Sequence, residues 1–378
     1  MLRVKKYNAI IFIGFMLHLF VAFWNGFFGP SMGAELDAQG LFSFAVDVSE
    51  RLNFRSFTIG YVPYINTLGL IFYFTTPSLF LGSFISCLFW LASAIIFMRI
   101  LHLCGISDKN KYYASLVYAL LPSSILFTSV TLREPFQLFF MTLSVYTALS
   151  IWLKGGVYKF IPLIIYIICG GILHGALLIV GLVIFCLTIA LYFMRTRRNV
   201  SFLKILIGFS LALPIFFIGL TYSFLVSYDL DGGNLATAAQ SYQSGALDVG
   251  GRADYKTYTN FTGIFSIFNF LIFGFIQYLF EPFPWNIRSA FDLAVAMEGG
   301  LRFILMYMFV KNIISSSGRD RKTIIFLAIC FLANEVLWSL GTVNWGTAVR
   351  HHIPSIGILL AGAFYSPKSI FAKSNFKG

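Results

Sequence analysis

The sequence predicts an all-α protein that crosses a membrane about ten times, within a range of about eight to twelve helices of roughly 20 residues each. Hydrophobic residues make up 58% of the chain and charged residues only 11%, and the mean hydropathy is +0.82. A soluble chain carries about 25% charged residues, so this chain has too few to cover a water-facing surface. The 44 Phe and 19 Tyr likewise suit a protein surrounded by lipid.

The positive net charge is also consistent with a membrane protein. Basic residues outnumber acidic ones, 27 to 15, for a formal net charge of +12. In a soluble protein such an excess would indicate nucleic-acid binding. In so hydrophobic a chain, Lys and Arg instead set the orientation across the bilayer. We therefore expect the lipid bilayer, and no nucleic acid, as the partner of these charges.

The predicted spans follow from apolar runs of roughly 20 residues. The first, 8–28, comes after a basic start without a small-residue cleavage site, so an uncleaved helix is predicted rather than a signal peptide. The other predicted spans are 79–98, 112–130, 136–153, 160–174, 176–194, 205–226, 296–314, 323–340 and 352–366. Two more apolar stretches, 61–76 and 263–280, contain or run into prolines, and hydropathy alone does not assign them.

Charge placement resolves these two stretches. If both stay on the outer side, ten spans leave both termini inside, and the inner segments hold 19 of the 27 Lys and Arg with two acids, Asp108 and Asp320. Every inner loop is then basic, as the positive-inside bias of membrane proteins requires. Counting either stretch alone as a span would invert the rest of the chain. Juxtamembrane or re-entrant helices on the outer face are therefore predicted, and two re-entrant hairpins would preserve the charges equally well.

The predicted outer face consists of four segments of a single membrane domain, 1–378. They are a first outer loop, 29–78, with its juxtamembrane helix, a turn near 131–135, a long outer loop, 227–295, and a turn near 341–351. Ionisable groups near membrane depth are costly and are therefore candidates for function. Most of those in this chain fall on this face.

Three acids on this face are candidate catalytic groups. Glu35 and Asp37 follow the first span closely, and a carboxylate there could take a proton from an attacking hydroxyl. The alternative is a solvated loop acid. Glu134 lies in a tight turn before a helix that starts at Pro135, where the helix dipole alone would also favour a carboxylate.

The basic candidates suit a phosphate group. Arg133 lies beside Glu134 at the predicted headgroup boundary, where a guanidinium can hold phosphate oxygens. Arg252 is a second candidate, on a glycine-rich stretch that ends at Tyr255, which we include as a glycan-binding residue. His174 lies between two spans, and a packing role is the alternative for a single histidine there.

The final outer turn is the densest group of polar residues. Arg350, His351 and His352 follow one another near a predicted helix start. The guanidinium, the two imidazoles and the helix N-terminus could together hold a diphosphate, and a histidine could also transfer a proton. The alternative is anchoring at lipid headgroups.

Two further acids fall within predicted spans, where an unpaired carboxylate would be costly. They are Glu298 and Glu335. Arg302 follows Glu298 by four residues on the same predicted helix, so an ion pair between them is expected. The sequence contains no CxxC pair, Walker or dinucleotide glycine loop, HExxH or GxSxG motif, so neither a metal nor a cofactor is predicted.

The order of these motifs resembles a known superfamily. An acid motif at Glu35-Leu-Asp37, an aromatic run with Pro63, Ala119-Leu-Leu-Pro122 and the Arg133-Glu134-Pro135 turn follow in succession. This layout, over roughly 200 residues, resembles the GT-C superfamily of integral-membrane glycosyltransferases. The closing Asn344-x-Gly-Thr-x-x-Arg350-His351 and the upstream Pro-Phe-Pro-Trp sequence look like multispan proteins of bacterial capsule and O-antigen loci, including Wzy-type polymerases.

The resemblance implies a GT-C-like fold and an enzyme that polymerises undecaprenyl-diphosphate-linked repeat units at the periplasmic face, without a nucleotide sugar or a metal. It implies Asp37 or Glu35 as the base, with Arg133, Arg252 and Arg350 on the leaving diphosphate and His351 assisting either role. A chain-length regulator is a further partner that it allows. The Glu-x-Asp motif departs from the Asp-Glu or lone Asp of the dolichol-type branch, which leaves the choice of base open.

Three alternatives remain at this point. The first is transfer of a single sugar from a polyprenyl-phosphate donor. The second is a lipid-linked glycan transporter or flippase, although transporters often show repeated halves and charges near the midplane, and neither is visible in this sequence. The third is a scaffold without catalytic activity.

Overall fold

A computed structural model describes residues 6–30, 35–196, 253–255 and 270–366 of the chain. The described part is all-helical, with 83% of its residues in helices and no strands. The all-α prediction is therefore confirmed for this part of the molecule. The predicted span 205–226 and most of the long loop lie outside the described residues.

The described helices run in order along the chain. The first nine are α1 (Lys6–Phe27), α2 (Glu35–Arg51), α3 (Val62–Phe74), α4 (Leu79–Leu103), α5 (Asp108–Leu120), α6 (Pro122–Thr128), α7 (Glu134–Lys154), α8 (Phe160–Leu173) and α9 (Gly175–Thr196). The last five are α10 (Phe275–Phe280), α11 (Ala290–Ser315), α12 (Gly318–Gly341), α13 (Trp345–His351) and α14 (Ile356–Ala363). Short 3-10 and π turns precede α8, α10, α11 and α14.

Six of these helices are long and apolar enough to cross a bilayer, namely α1, α4, α7, α9, α11 and α12. At 21 to 26 residues each, they are about 30 Å long or more, which matches the hydrocarbon thickness. Each corresponds to a predicted span. The chain is thus built as a multi-pass membrane protein.

Three other predicted spans are shorter than expected. The stretch 112–130 forms two helices, α5 and α6, which meet at Leu121. Leu121 is extended, with ψ at 117°, because the following Pro122 disfavours the helical conformation of its predecessor. The stretches 160–174 and 352–366 form α8, of 14 residues, and α14, of eight. The described helices therefore do not reach the predicted count of about ten spans.

The two ambiguous apolar stretches also form short helices. The first becomes α3, of 13 residues, about 20 Å long by helix geometry. It packs closely on α2, because a Cβ atom on Gly69 would lie only 2.6 Å from Val48 Cγ1. In the second, the described part is a π turn followed by α10, which ends before Glu281. The close contact at Gly69 matters for the site, since α2 carries Asp37.

Helix α7 is the most buried of the six long helices, with 72% of its apolar window inside the structure. It contacts α4, α8 and α9, and the Trp152 indole N–H donates to Thr323 Oγ1 of α12 over 2.9 Å. The α2–α3 pair packs against the start of α7 and the end of α8 through Phe136 and Leu173. The N-terminal end of α7 is therefore where α2, α3 and α8 come together.

Candidate functional site

One end of the helical bundle collects most of the polar residues singled out in the sequence. They come from α2, the start of α7, the junction between α8 and α9, and α13. A short segment, 253–255, joins them by pairing with the residues just before α13: Trp345 N–H donates to the Ala253 carbonyl over 3.1 Å and Tyr255 N–H to the Val343 carbonyl over 3.0 Å. Segments far apart in sequence therefore form one polar region.

The most direct contact in this region joins α2 to α13. Arg350 Nη1 donates to Asp37 Oδ2, forming an ion pair between residues 313 positions apart. The Arg350 side chain is 15% exposed and that of Asp37 is 55% exposed. The guanidinium also lies 5.8 Å from the centre of the Phe127 ring. A predicted base and a predicted phosphate ligand are thus bonded to each other, and the pair is accessible from the carboxylate side.

Local structure holds Arg350 in place. Helix α13 has seven residues, and its start is capped by Asn344, whose side-chain oxygen accepts the Thr347 N–H over 2.7 Å. The indole N–H of Trp345 donates to the buried Asp292 carboxylate over 3.2 Å. Such caps satisfy backbone groups that a helix leaves unpaired. Hydrogen bonds therefore hold α13 both at its first residue, Trp345, and at its cap, Asn344.

Behind the ion pair lies a group of stacked rings. The His351 imidazole stacks on the Trp338 indole with 3.8 Å between ring centres, and His174 lies 4.1 Å from the same indole. His351 Nδ1 is 2.7 Å from Thr342 Oγ1. Arg133 Nη1 donates to the carbonyl of Leu173, immediately before His174, over 3.4 Å. The structure thus brings His174, His351 and Arg133 together as neighbours of the Arg350 pair.

Burial lowers the pKa of His351 well below its ordinary value, and the nearby His174 and Arg350 lower it further. The ring is therefore neutral at neutral pH. A neutral imidazole can accept a proton from an attacking hydroxyl, although the low pKa makes this ring a weak base.

We expect acid to destabilise the protein partly through His351. The unfolded chain takes up a proton on this residue below about pH 6.5, whereas the folded chain resists it, so stability falls as the pH drops. Thermal unfolding in detergent should therefore show a smaller loss between about pH 7.5 and pH 5 for His351→Phe, which keeps a ring on Trp338, than for the natural chain. Equal pH dependence in the natural chain and His351→Phe would contradict this assignment.

Tyr255 belongs to the same region. Its hydroxyl donates to the Thr342 carbonyl over 3.2 Å, and its own carbonyl accepts from Gln277 Nε2 over 3.1 Å. Tyr255 thus touches the residue that contacts His351. Arg252 precedes this segment and lies outside the described residues. Glu35 begins α2, but its side chain lies outside them too.

Glu134 is in the first turn of α7 and is only 7% exposed. Its Oε2 has no hydrogen-bond partner among the described residues. Tyr64 of α3 lies close enough to interact with its charge. A carboxylate at a helix N-terminus is stabilised by the helix dipole. Its position in the first turn of α7 suits the dipole alternative, and the catalytic role of Glu134 stays a prediction.

The expected ion pair between Glu298 and Arg302 does not form within the described structure. Glu298 instead accepts the Ser123 N–H over 2.7 Å and so caps α6, whereas Arg302 donates to the Leu279 carbonyl. The backbone N–H groups of the helix that begins at Pro122 compete for the carboxylate. The predicted partner of Glu298, Arg302, was therefore wrong.

The buried acid that is paired is Glu335. It lies six residues before the end of α12 and is fully buried. It contacts His352 Nδ1 and accepts the Ser355 hydroxyl, while His352 Nε2 lies 3.2 Å from the Tyr278 carbonyl. Both ring nitrogens of His352 thus face oxygen acceptors inside the protein. His352 therefore links α12 to α10, and its role as a diphosphate or glycan ligand stays a prediction.

Several residues of the region carried no usable sequence signal. Trp338 in the last turn of α12 and Thr342 at its C-cap contact His351, but isolated aromatic and hydroxyl residues are common in apolar helices. Asp292 did have a signal, because Ser289 three residues earlier forms an N-cap whose hydroxyl accepts the Asp292 N–H over 3.1 Å. Within the described residues, no group of three or more His, Cys, Asp or Glu could hold a metal ion.

Comparison with protein-family models, with curated proteins and with solved structures finds no match for this chain. What the site does must therefore be inferred from its own contacts.

Proposed function

We propose that the protein polymerises undecaprenyl-diphosphate-linked oligosaccharide repeat units into O-antigen or capsular polysaccharide at the periplasmic face of the inner membrane. The observation that carries the proposal is the contact between Asp37 and Arg350. Glycosyl transfer from a lipid diphosphate needs a cation at the departing phosphate and a carboxylate near the acceptor hydroxyl. In this chain one group of each type lies within a single ion pair at one end of the bundle.

The ion pair supplies a means of coupling donor binding to base release. A diphosphate presents more acceptor oxygens and more charge than one carboxylate, so it competes well for a guanidinium. As Arg350 turns to the diphosphate, Asp37 loses its partner. Because the Asp37 side chain is 55% exposed, the freed carboxylate is open to an acceptor hydroxyl. The base thus becomes available when the donor is in place.

The reaction then proceeds as an ordinary displacement. The acceptor hydroxyl oxygen forms a bond to the anomeric carbon of the donor, and the bond between that carbon and the diphosphate oxygen breaks. The diphosphate leaves with the bonding electrons, held by Arg350 and aided by the neighbouring Arg133, while the hydroxyl proton passes to Asp37. Neutral His351 follows Arg350 in α13, and a proton that it accepts from a hydroxyl during turnover is readily returned because its pKa is low.

The test uses purified protein in proteoliposomes with undecaprenyl-diphosphate-linked repeat units from a strain that lacks this gene. A ladder of products that grows by whole repeat units is expected on gels after mild acid release. One added sugar from a polyprenyl-phosphate donor would instead favour the single-transfer alternative. No transfer from either donor, by protein that still unfolds cooperatively, would contradict the enzymatic proposal.

A second candidate function, transport of a lipid-linked glycan, is favoured by one specific observation. The Glu335 carboxylate, buried in the long apolar helix α12, contacts His352 Nδ1, and pairs of acidic and histidine side chains occur in proton relays of transporters. However, Glu335 lies only about 9 Å along α12 from its end, not at its centre. Movement of a fluorescent lipid-linked glycan across vesicles without chain growth would select this function.

A further inference from the structure

A large cavity opens at the end of the bundle opposite the Asp37–Arg350 pair. It has a volume of about 720 Å³ and is lined by α1, α4, α5 and α7. Lys154, at the last residue of α7, lines it, whereas Glu134, the first residue of that helix, lies at the polar region. The 21 residues of α7 separate the two by about 30 Å. The cavity is therefore distinct from the site described above.

The mouth of this cavity is basic. Arg99, Lys111 and Lys154 line it together with His102, and none of its described lining residues is acidic. Lys111 is held in place: its side chain is only 8% exposed and its Nζ lies 3.2 Å from Asp108 Oδ1 and 3.5 Å from His102 Nδ1. Three cations from three different helices thus line one cavity, and Asp108 offsets the charge of only one of them, which indicates an anion as the occupant.

The rest of the cavity wall is mostly apolar. Tyr7, Asn8 and Tyr146 are its polar members, and most of the other residues are aliphatic or aromatic side chains of α1 and α4: Ile11, Phe12, Phe15, Leu91, Ile95 and Met98. Phe12 and Ile95 are 61% and 46% exposed, so this wall continues onto the lipid-facing surface of spanning helices. A free phosphate would contact the basic mouth and leave this wall without a partner. An amphipathic anion, with one charged end and one apolar tail, fits both parts.

We propose that this cavity binds an anionic glycerophospholipid, with the phosphate of its headgroup at Arg99, Lys111 and Lys154 and an acyl chain along the α1–α4 wall. Basic pockets between membrane helices are suited to lipid phosphates, and the volume lies in the usual range for a small-molecule site. The same end of the bundle is the one predicted to face the cytoplasm, where anionic lipid attracts basic residues. The proposal does not depend on the function at the other end.

The experiment measures lipid binding directly, by native mass spectrometry of the full chain in detergent. The probes are phosphatidylglycerol and phosphatidylcholine with identical acyl chains. The natural chain should retain phosphatidylglycerol selectively. Each basic group near an anionic lipid contributes around fivefold, so Arg99→Gln combined with Lys154→Gln should weaken phosphatidylglycerol binding about 30-fold.

Two further variants separate the parts of the site. Lys109→Gln removes a charge from the exposed surface of α5, outside the cavity lining, and should leave binding unchanged. Ile95→Trp fills the apolar wall without touching a charge and should weaken binding of either phospholipid. Added inorganic phosphate should not displace phosphatidylglycerol. Equal retention of the two lipids, undiminished binding in the double variant, or full displacement by inorganic phosphate would each overturn the proposal.

Discussion

Replacing Arg350 with Ala is expected to reduce chain growth by roughly 10²–10³-fold, the range seen when one group that stabilises a developing anion is removed. The reason is that Arg350 is the cation in direct contact with the candidate base, so its loss removes both the diphosphate ligand and the coupling that releases Asp37. Product ladders from proteoliposomes at fixed protein concentration provide the measurement. Asp37→Asn should cause a loss of similar size, because the amide cannot accept the hydroxyl proton.

A charge exchange distinguishes this role from a purely structural one. If the ion pair only holds α2 against α13, then the combination of Asp37→Arg with Arg350→Asp restores the contact and the activity. If the two residues have separate chemical roles, the exchange restores thermal stability but not chain growth, because the cation and the carboxylate then occupy each other's positions. We expect the second result. Restored chain growth in the exchanged variant would refute the chemical roles.

The control for these variants is Arg288→Ala. Arg288 precedes the N-cap of α11 and its side chain is exposed, so its removal takes one positive charge from the chain without touching the ion pair. Its product ladder should match that of the natural chain. A loss as large as that of Arg350→Ala would mean that the net charge of the protein, rather than the Asp37 contact, governs activity.

Part of the site could be predicted from sequence because an unpaired charge inside a membrane costs free energy. A charged group near membrane depth must be paired or face water, so the few ionisable residues of an apolar chain are candidates for the site. This reasoning points to Asp37, Arg133, His174 and Arg350, and the structure brings them to one end of the bundle. What the sequence does not contain is the pairing, because contacts across 313 positions depend on how the helices pack.

Two predictions from the sequence, one of an ion pair and one of a single span, were wrong for physical reasons. Helical spacing predicts a Glu298–Arg302 pair, yet the Ser123 N–H of α6 donates to the Glu298 carboxylate instead. Local spacing reports which residues share a helix face and says nothing about competitors on other helices. The stretch 112–130 was predicted as one span because summed hydropathy does not register a single proline. Pro122 breaks it nonetheless, since it lacks the N–H that an uninterrupted helix would use.

The buried pair of Glu335 and His352 leads to the largest expected effect on stability. Replacing either residue alone with Ala should lower the free energy of unfolding by about 3–5 kcal/mol, the cost of leaving one member of a buried pair without its partner. His352→Ala leaves the fully buried Glu335 with Ser355 and Asn334 as its hydrogen-bond donors. Glu335→Ala leaves Ser355 and the imidazole without their carboxylate. Thermal unfolding in detergent, followed by intrinsic fluorescence, gives the comparison.

The double variant tests whether the two effects share one cause. Glu335→Leu combined with His352→Leu removes both polar groups and keeps side-chain volume, so it should be more stable than either alanine variant, because replacing a buried pair by apolar residues is often neutral. Glu50→Ala, at an exposed acid of α2, should leave the unfolding midpoint unchanged. Losses that simply add in a Glu335→Ala/His352→Ala variant would show that the residues do not interact, since contacting pairs deviate from additivity by about 0.5–3 kcal/mol. We expect a double-variant loss well below that sum, because once one partner is gone the second has no pair left to lose.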